Sequence, residues 1–185
     1  MLFDPVVFEN LKVALENQLY DLDNLDSRIL ITDRKDIIDM AVMSRKWSLG
    51  FTLPHRKQAC PLKAEMILSS SIRDLSDEIL ERKGTTPACS LLLRFTCFVE
   101  QPLIECPIIE RIIDETWDRG LIPEQRLTAT FGDHTLPVDE WVPRYYENII
   151  DLPFNRRINE EQMEDLESLI EHTIRTLEAL DQVVL

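Results

Sequence analysis

Cys106-Pro107 is the pair in this chain whose types and spacing come closest to a reactive group. If it opens the helix that follows the central strand, the thiol stands beside unbonded backbone N–H groups and the positive end of the dipole, which favours thiolate. A redox sensor or a nucleophile would use that environment. Glu105 and Glu110 oppose ionisation, and no resolving cysteine follows at motif spacing, so inert packing is the competing reading.

The other reactive types are dispersed. His55, His134 and His172 form no HxH, HExxH or HxxxH pattern, so no metal site is expected. The best local cluster, Asp133-His134 with Asp139 and Glu140, is accounted for by turn chemistry at Gly132-Asp133. Among 34 acids no carboxylate pair stands out, and Asp33, Asp36 and Asp39 read equally as turn or surface residues. There is no Walker loop, GxGxxG, GxSxG or kinase signature, and with 4 glycines phosphate-cradling loops are poorly provided for, so no cofactor is expected. His55-Arg56-Lys57 and Arg156-Arg157 are the basic spots, read as solvated loops or anion grips.

Residues 139–157, read as irregular and aromatic-rich, suit binding better than catalysis. Trp141, Arg144, Tyr145, Tyr146 and Phe154 are residue types that dominate interface hot spots, and the prolines at 143 and 153 stiffen the backbone between them. In the competing reading these rings shelter Leu92 and Phe98 on the second face of a sheet.

Charge narrows the partners. The formal charge of -14 is concentrated at the ends: residues 1–26 carry six acids and one lysine, and residues 159–185 eight acids and one arginine. A nucleic-acid binder needs a basic face to displace counterions, so nucleic acid is excluded and a basic protein partner fits better. Four cysteines without a CxxC pair indicate a reducing compartment. Neither a signal peptide nor a membrane span is read, and the chain is expected to be cytoplasmic.

The elements that would position these residues follow from hydrophobic period. From Cys89 to Val99 apolar residues alternate, which gives an interior strand with one wholly apolar face. Ile108, Ile109, Ile112, Ile113 and Trp117 then fall at helical spacing, stopped by Gly120. Asp4 and Pro5 open an N-terminal helix over 5–21 with Phe8, Leu11, Leu15, Leu19 and Leu22 inward and Lys12 outward. Residues 28–53 read as a three-strand meander turning at Asp33–Asp36 and Ser44–Lys46, although Ile37–Met43 is equally consistent with helix. A strand at 62–68, a helix capped by Ser71 and Asp74 with Ile72, Leu75 and Ile79 as its apolar line and stopped by Gly84, and a hairpin from Arg126 through Gly132 to Leu136 and Val138 complete a sheet core over 28–138.

The final helix, 160–183, is capped by Asn159 and Gln162 and carries Met163, Leu166, Ile170, Thr173, Leu177, Leu180 and Val184 on one stripe. That stripe either packs on its own subunit or forms a homodimer.

The expectation is a single α+β domain over 1–185: a mainly antiparallel sheet of about five to seven strands, three or four helices and a long C-terminal helix. Its expected role is a non-enzymatic interaction or regulatory protein. The alternative is a small hydrolase or transferase that uses carboxylates or Cys106.

Overall fold

In a computed structural model, which describes residues 6–56, 62–80, 86–117, 121–131, 142–154 and 156–184, ten elements follow one another. They are α1 (Val6–Asn24), β1 (Leu30–Asp39), β2 (Ser44–Thr52), β3 (Lys63–Ser70), α2 (Ile72–Ile79), β4 (Ser90–Val99), α3 (Pro102–Thr116), β5 (Glu124–Thr128), β6 (Tyr146–Pro153) and α4 (Leu166–Leu180). The strands form one six-stranded sheet in the order β1-β2-β3-β4-β6-β5. Every neighbouring pair is antiparallel, as the α+β expectation requires.

β4 lies inside the sheet and its alternation decides the layers. Directly paired residues share a face, so the register builds cross-strand rows. Leu49, Met66, Leu93 and Leu152 form one, and Phe51, Ala64, Phe95 and Ile150 the next. All eight are fully buried. α1, α3 and α4 cover this face through Phe8, Leu11, Leu15 and Leu19, through Ile109 and Ile113, and through Leu166, Ile170, Ile174, Leu177 and Leu180. The stripe of α4 is therefore buried on its own chain. The 3-10 turn Glu160–Asp165 leads into it, with Asn159 and Gln162 closing the expected capping box.

Several expectations need correction. The polar run Asp33–Asp36 is strand, because its charges find partners on both faces of β1. On the helix face Arg34 reaches Glu16 at 2.6 Å, and Asp36 meets Lys12 at 3.1 Å and Arg45 at 2.9 Å. On the other face Asp33 meets Lys35 at 2.6 Å. Lys12 is consequently buried against Glu9 and Asp36 instead of pointing outward. The meander thus has two strands, with a bulge between Ile31 and Asp33. Its reversal comes at 40–43, where Asp39 Oδ1 accepts the Ala41 N–H at 2.9 Å and Met43 takes a positive φ of 51°. Ile37–Asp39 is strand and residues 40–43 are turn, so neither strand nor helix runs through the whole of Ile37–Met43.

The segment read as irregular contains β6, an interior strand. Tyr146, Asn148, Ile150 and Leu152 face the helices while Glu147, Ile149 and Asp151 face away. β5 spans Glu124–Thr128, two residues earlier than expected, and forms the sheet edge. The proposed hairpin at Gly132–Val138, the cap at Asp4-Pro5 and the stops at Gly84 and Gly120 lie outside the described residues.

α2 keeps its cap, since Asp74 accepts the Ser71 N–H at 2.7 Å and the Ser71 hydroxyl at 2.9 Å. Its expected apolar line packs only in part: Leu75 is half-buried while Ile72 and Ile79 are exposed, and the residue buried in this helix is Asp74. No helix among the described residues is long and apolar enough to cross a membrane.

Truncating Ile150 to alanine should cost about 2–5 kcal/mol in urea unfolding, as for a core residue. Tyr145→Ala, at the exposed entry to the same strand, should cost no more than about 1.5 kcal/mol. Equal losses would contradict an interior β6.

Candidate functional site

The helix layer leaves a groove where α3 ends and α4 begins. At about 510 Å3 it falls in the range of small-ligand pockets. Leu91, Trp117, Leu121, Phe154, Ile158, Leu166 and Leu169 supply its apolar lining, and Thr116, Arg156, Gln162, Asp165, Ser168 and His172 its polar part.

Each wall is held by a specific contact. Trp117 leaves α3 in an extended conformation, with its N–H still bonded to the Ile113 carbonyl at 2.8 Å. Its indole N–H donates to the Thr176 hydroxyl at 2.9 Å, and that hydroxyl donates to the His172 carbonyl at 2.8 Å. The ring is thereby tied to α4. Phe154 meets it edge-on at 5.7 Å, and the His172 ring lies 5.5 Å away. Ile158 exchanges backbone hydrogen bonds of 2.7 and 2.9 Å with Cys89, which ties the start of β4 to the groove wall.

The same segment is anchored by charge. Arg157 pairs with Asp74 of α2 and donates to the Ala88 carbonyl. Burial alone would raise the Asp74 carboxyl, but the Arg157 guanidinium and the Ser71 donors outweigh it and the net direction is downward. Arg156, beside it, stands at the groove mouth 4.0 Å from Asp165.

His172 has a defined proton. Its Nδ1 lies 2.6 Å from the Ser168 carbonyl, an acceptor, so Nδ1 carries the hydrogen and Nε2 of the neutral ring keeps the lone pair. Nδ1 is therefore no base for Ser168 Oγ, which lies 3.4 Å from it.

The described residues among those singled out for binding do not converge. Trp141 lies outside the described residues. Arg144 and Tyr145 are exposed, and Tyr145 stacks edge-on to Phe98 at 5.3 Å, sheltering that ring from the side away from the helices. Tyr146 points to the opposite face and packs on the core. Of the four that are described, Phe154 alone lines the groove.

Cys106 is not at a helix start, because α3 opens one turn earlier, with Gln101 as cap and Pro102 in the first position. Burial, with Glu105 and Glu110, pushes its thiol upward. Asn148 Nδ2 lies 3.8 Å from its sulfur and 2.7 Å from Gln125 Oε1. The deeper thiols Cys89 and Cys97 are each pushed up to about 12, mainly by burial.

The remaining candidates are structural. His55 pairs with Asp181 at 2.9 Å, and Arg56 binds the same carboxylate together with the carbonyls of Asp181 and Val184, clasping the end of α4. The two buried acids among the described residues, Asp74 and Asp151, are held by guanidiniums, Asp151 by both Arg94 and Arg126. No group of three or more His, Cys, Asp or Glu among the described residues is placed to hold a metal. Lys57, His134, Asp133, Asp139 and Glu140 lie outside them.

Trp117 and His172 are visible in the sequence only as a helix end and an isolated histidine. Their meeting depends on the crossing of α3 and α4, which no local pattern encodes. Comparison with known protein families, with curated proteins and with solved structures yields no significant match to this chain.

The lowered Asp74 carboxyl makes the anchor pH-dependent. Its contribution is complete above the unfolded value of about 3.9 and disappears as pH falls through the lower folded value. Asp74→Asn should cost roughly 1–3 kcal/mol near neutral pH, with the gap to the native chain closing in acid. A gap that persists in strong acid would contradict the ion pair.

Cys106, with its thiol raised, should react with iodoacetamide more slowly than a free thiol at neutral pH, and catch up only as pH rises above about 8.5. Fast labelling at pH 6, read by peptide mass spectrometry, would restore the nucleophile reading.

Proposed function

We propose that this chain is a non-enzymatic binding module which holds an apolar side chain of a partner protein in the groove at Trp117. The observation that carries this reading is the combination of a concave lining, about half of it apolar, with an aromatic floor tied in place by the Trp117–Thr176–His172 hydrogen bonds. A floor already held needs little ordering on binding, so contact energy is not consumed in fixing the rings.

The hydrolase or transferase alternative has less support. The Ser168–His172 pair has its proton on the wrong nitrogen for activating the hydroxyl, and the Cys106 thiol is raised. A second copy of the chain is also less favoured than a different protein as partner, because the α4 stripe that would form a homodimer is buried against the chain's own sheet. The free thiols Cys89, Cys97 and Cys106 suit a reducing, cytoplasmic setting.

Leu169→Arg places a long cation in the groove without removing a core residue, while Tyr145→Ala alters a ring on the far side of the sheet. Affinity capture from source-cell lysate with the native chain and both variants, read by mass spectrometry, should retain a stoichiometric protein with the native chain and with Tyr145→Ala, and lose it with Leu169→Arg. Retention by Leu169→Arg, in a variant whose circular dichroism is native, would remove the groove from the function.

A further inference from the structure

The groove sits in an acidic setting, and this bears on what fills it. On the segment leading into α4, Glu161, Glu164 and Asp165 are exposed, with Asp165 in the groove itself. Across the groove, Asp114 and Glu115 are exposed in the last turn of α3, ahead of the lining residue Thr116. The C-terminal end of α3 adds the negative pole of its dipole on the same side.

The cation among the lining residues is Arg156, and it faces Asp165 at the loose distance of 4.0 Å. Several acids elsewhere are engaged within the fold. Glu16, Asp36, Asp74, Asp151, Glu171 and Asp181 each hold a basic side chain of the fold. Beside the groove, Glu161, Glu164, Asp114 and Glu115 are exposed carboxylates next to its apolar side chains.

Resting on the groove reading above, we infer that the occupant is a basic peptide segment of another protein, in which lysines or arginines flank one large apolar side chain. The apolar side chain enters between Trp117, Phe154 and Leu169. The flanking cations meet Glu161, Glu164 and Asp165 on one side and Asp114, Glu115 and the end of α3 on the other. Complementary charge of this kind steers encounter and fixes register, while the apolar anchor supplies residence. A nucleic acid would be repelled by the same carboxylates.

Three blocked pentapeptides separate the contributions: phenylalanine between paired lysines, alanine between paired lysines, and phenylalanine between paired glutamates. Each is titrated into the full-length, isotope-labelled chain, with the assigned Trp117 indole and Leu169 methyl resonances followed by NMR. The lysine-flanked phenylalanine probe should shift both resonances saturably. Its affinity should fall about threefold or more as salt rises from about 50 to about 300 mM, and about threefold or more in the Glu161→Gln, Glu164→Gln, Asp165→Asn variant. The glutamate-flanked probe should bind at least about tenfold more weakly.

Equal shifts with lysine and glutamate flanks would overturn the basic-partner inference and leave the groove reading standing. Equal binding of the alanine and phenylalanine probes, with Trp117 unmoved, would mean surface charge alone, and would overturn both. No shift at Trp117 with any probe also overturns the inference, and the Leu169→Arg capture then decides the groove reading separately.

Discussion

The row Phe51, Ala64, Phe95 and Ile150 crosses four strands, and every side chain in it must face the helices at once. A slip of one residue in any of these pairings would turn a strand's whole apolar set to the other side. Three helices then have one surface to cover. The small Ala64 in this row, between Phe51 and Phe95, leaves room for the large rings to interdigitate with the helix layer.

The groove is the place where that covering stops. α3 ends at Trp117 and the chain reaches α4 only after β5 and β6, so a wedge between the two helices is lined by residues from five separate segments. Its aromatic floor is polar at one point, the indole N–H, and that point is satisfied by Thr176 inside α4. A buried donor left unpaired there would cost about 1–3 kcal/mol. The hydrogen bond thus fixes the ring and ties α3 to α4 together.

Ion pairs do a second kind of positioning. Asp36 sits between Lys12 of α1 and Arg45 of β2, and Arg45 lies 5.0 Å over the Phe8 ring. Arg157 reaches from the groove segment to Asp74 of α2, and Arg56 from the β2–β3 connection to the end of α4. These contacts join elements remote in the chain, and each involves a residue type that local rules assign to turns or solvent. This is why Asp33–Asp36 reads as a turn when seen alone and is strand when α1 is present.

Legible in the residues alone are the elements with unbroken period: β3, β4, α1, α3 and α4, the Ser71–Asp74 and Asn159–Gln162 caps, and the α+β class with an antiparallel sheet. Those signals are local, since burial of one face imposes a spacing of two or about 3.6 on the chain itself. β6 is hidden by its aromatic approach and by the prolines at 143 and 153, and the α2 line of Ile72, Leu75 and Ile79 is amphipathic in sequence yet exposed at both ends in the fold. Long-range packing settles which strands are neighbours, that Tyr145 and Tyr146 part to opposite faces, that Cys106 lies inside a helix, and that Trp117 meets His172. Pairing partners, helix crossings and the proton of a histidine depend on groups distant in the chain, and a periodicity that repeats every few residues carries no record of them.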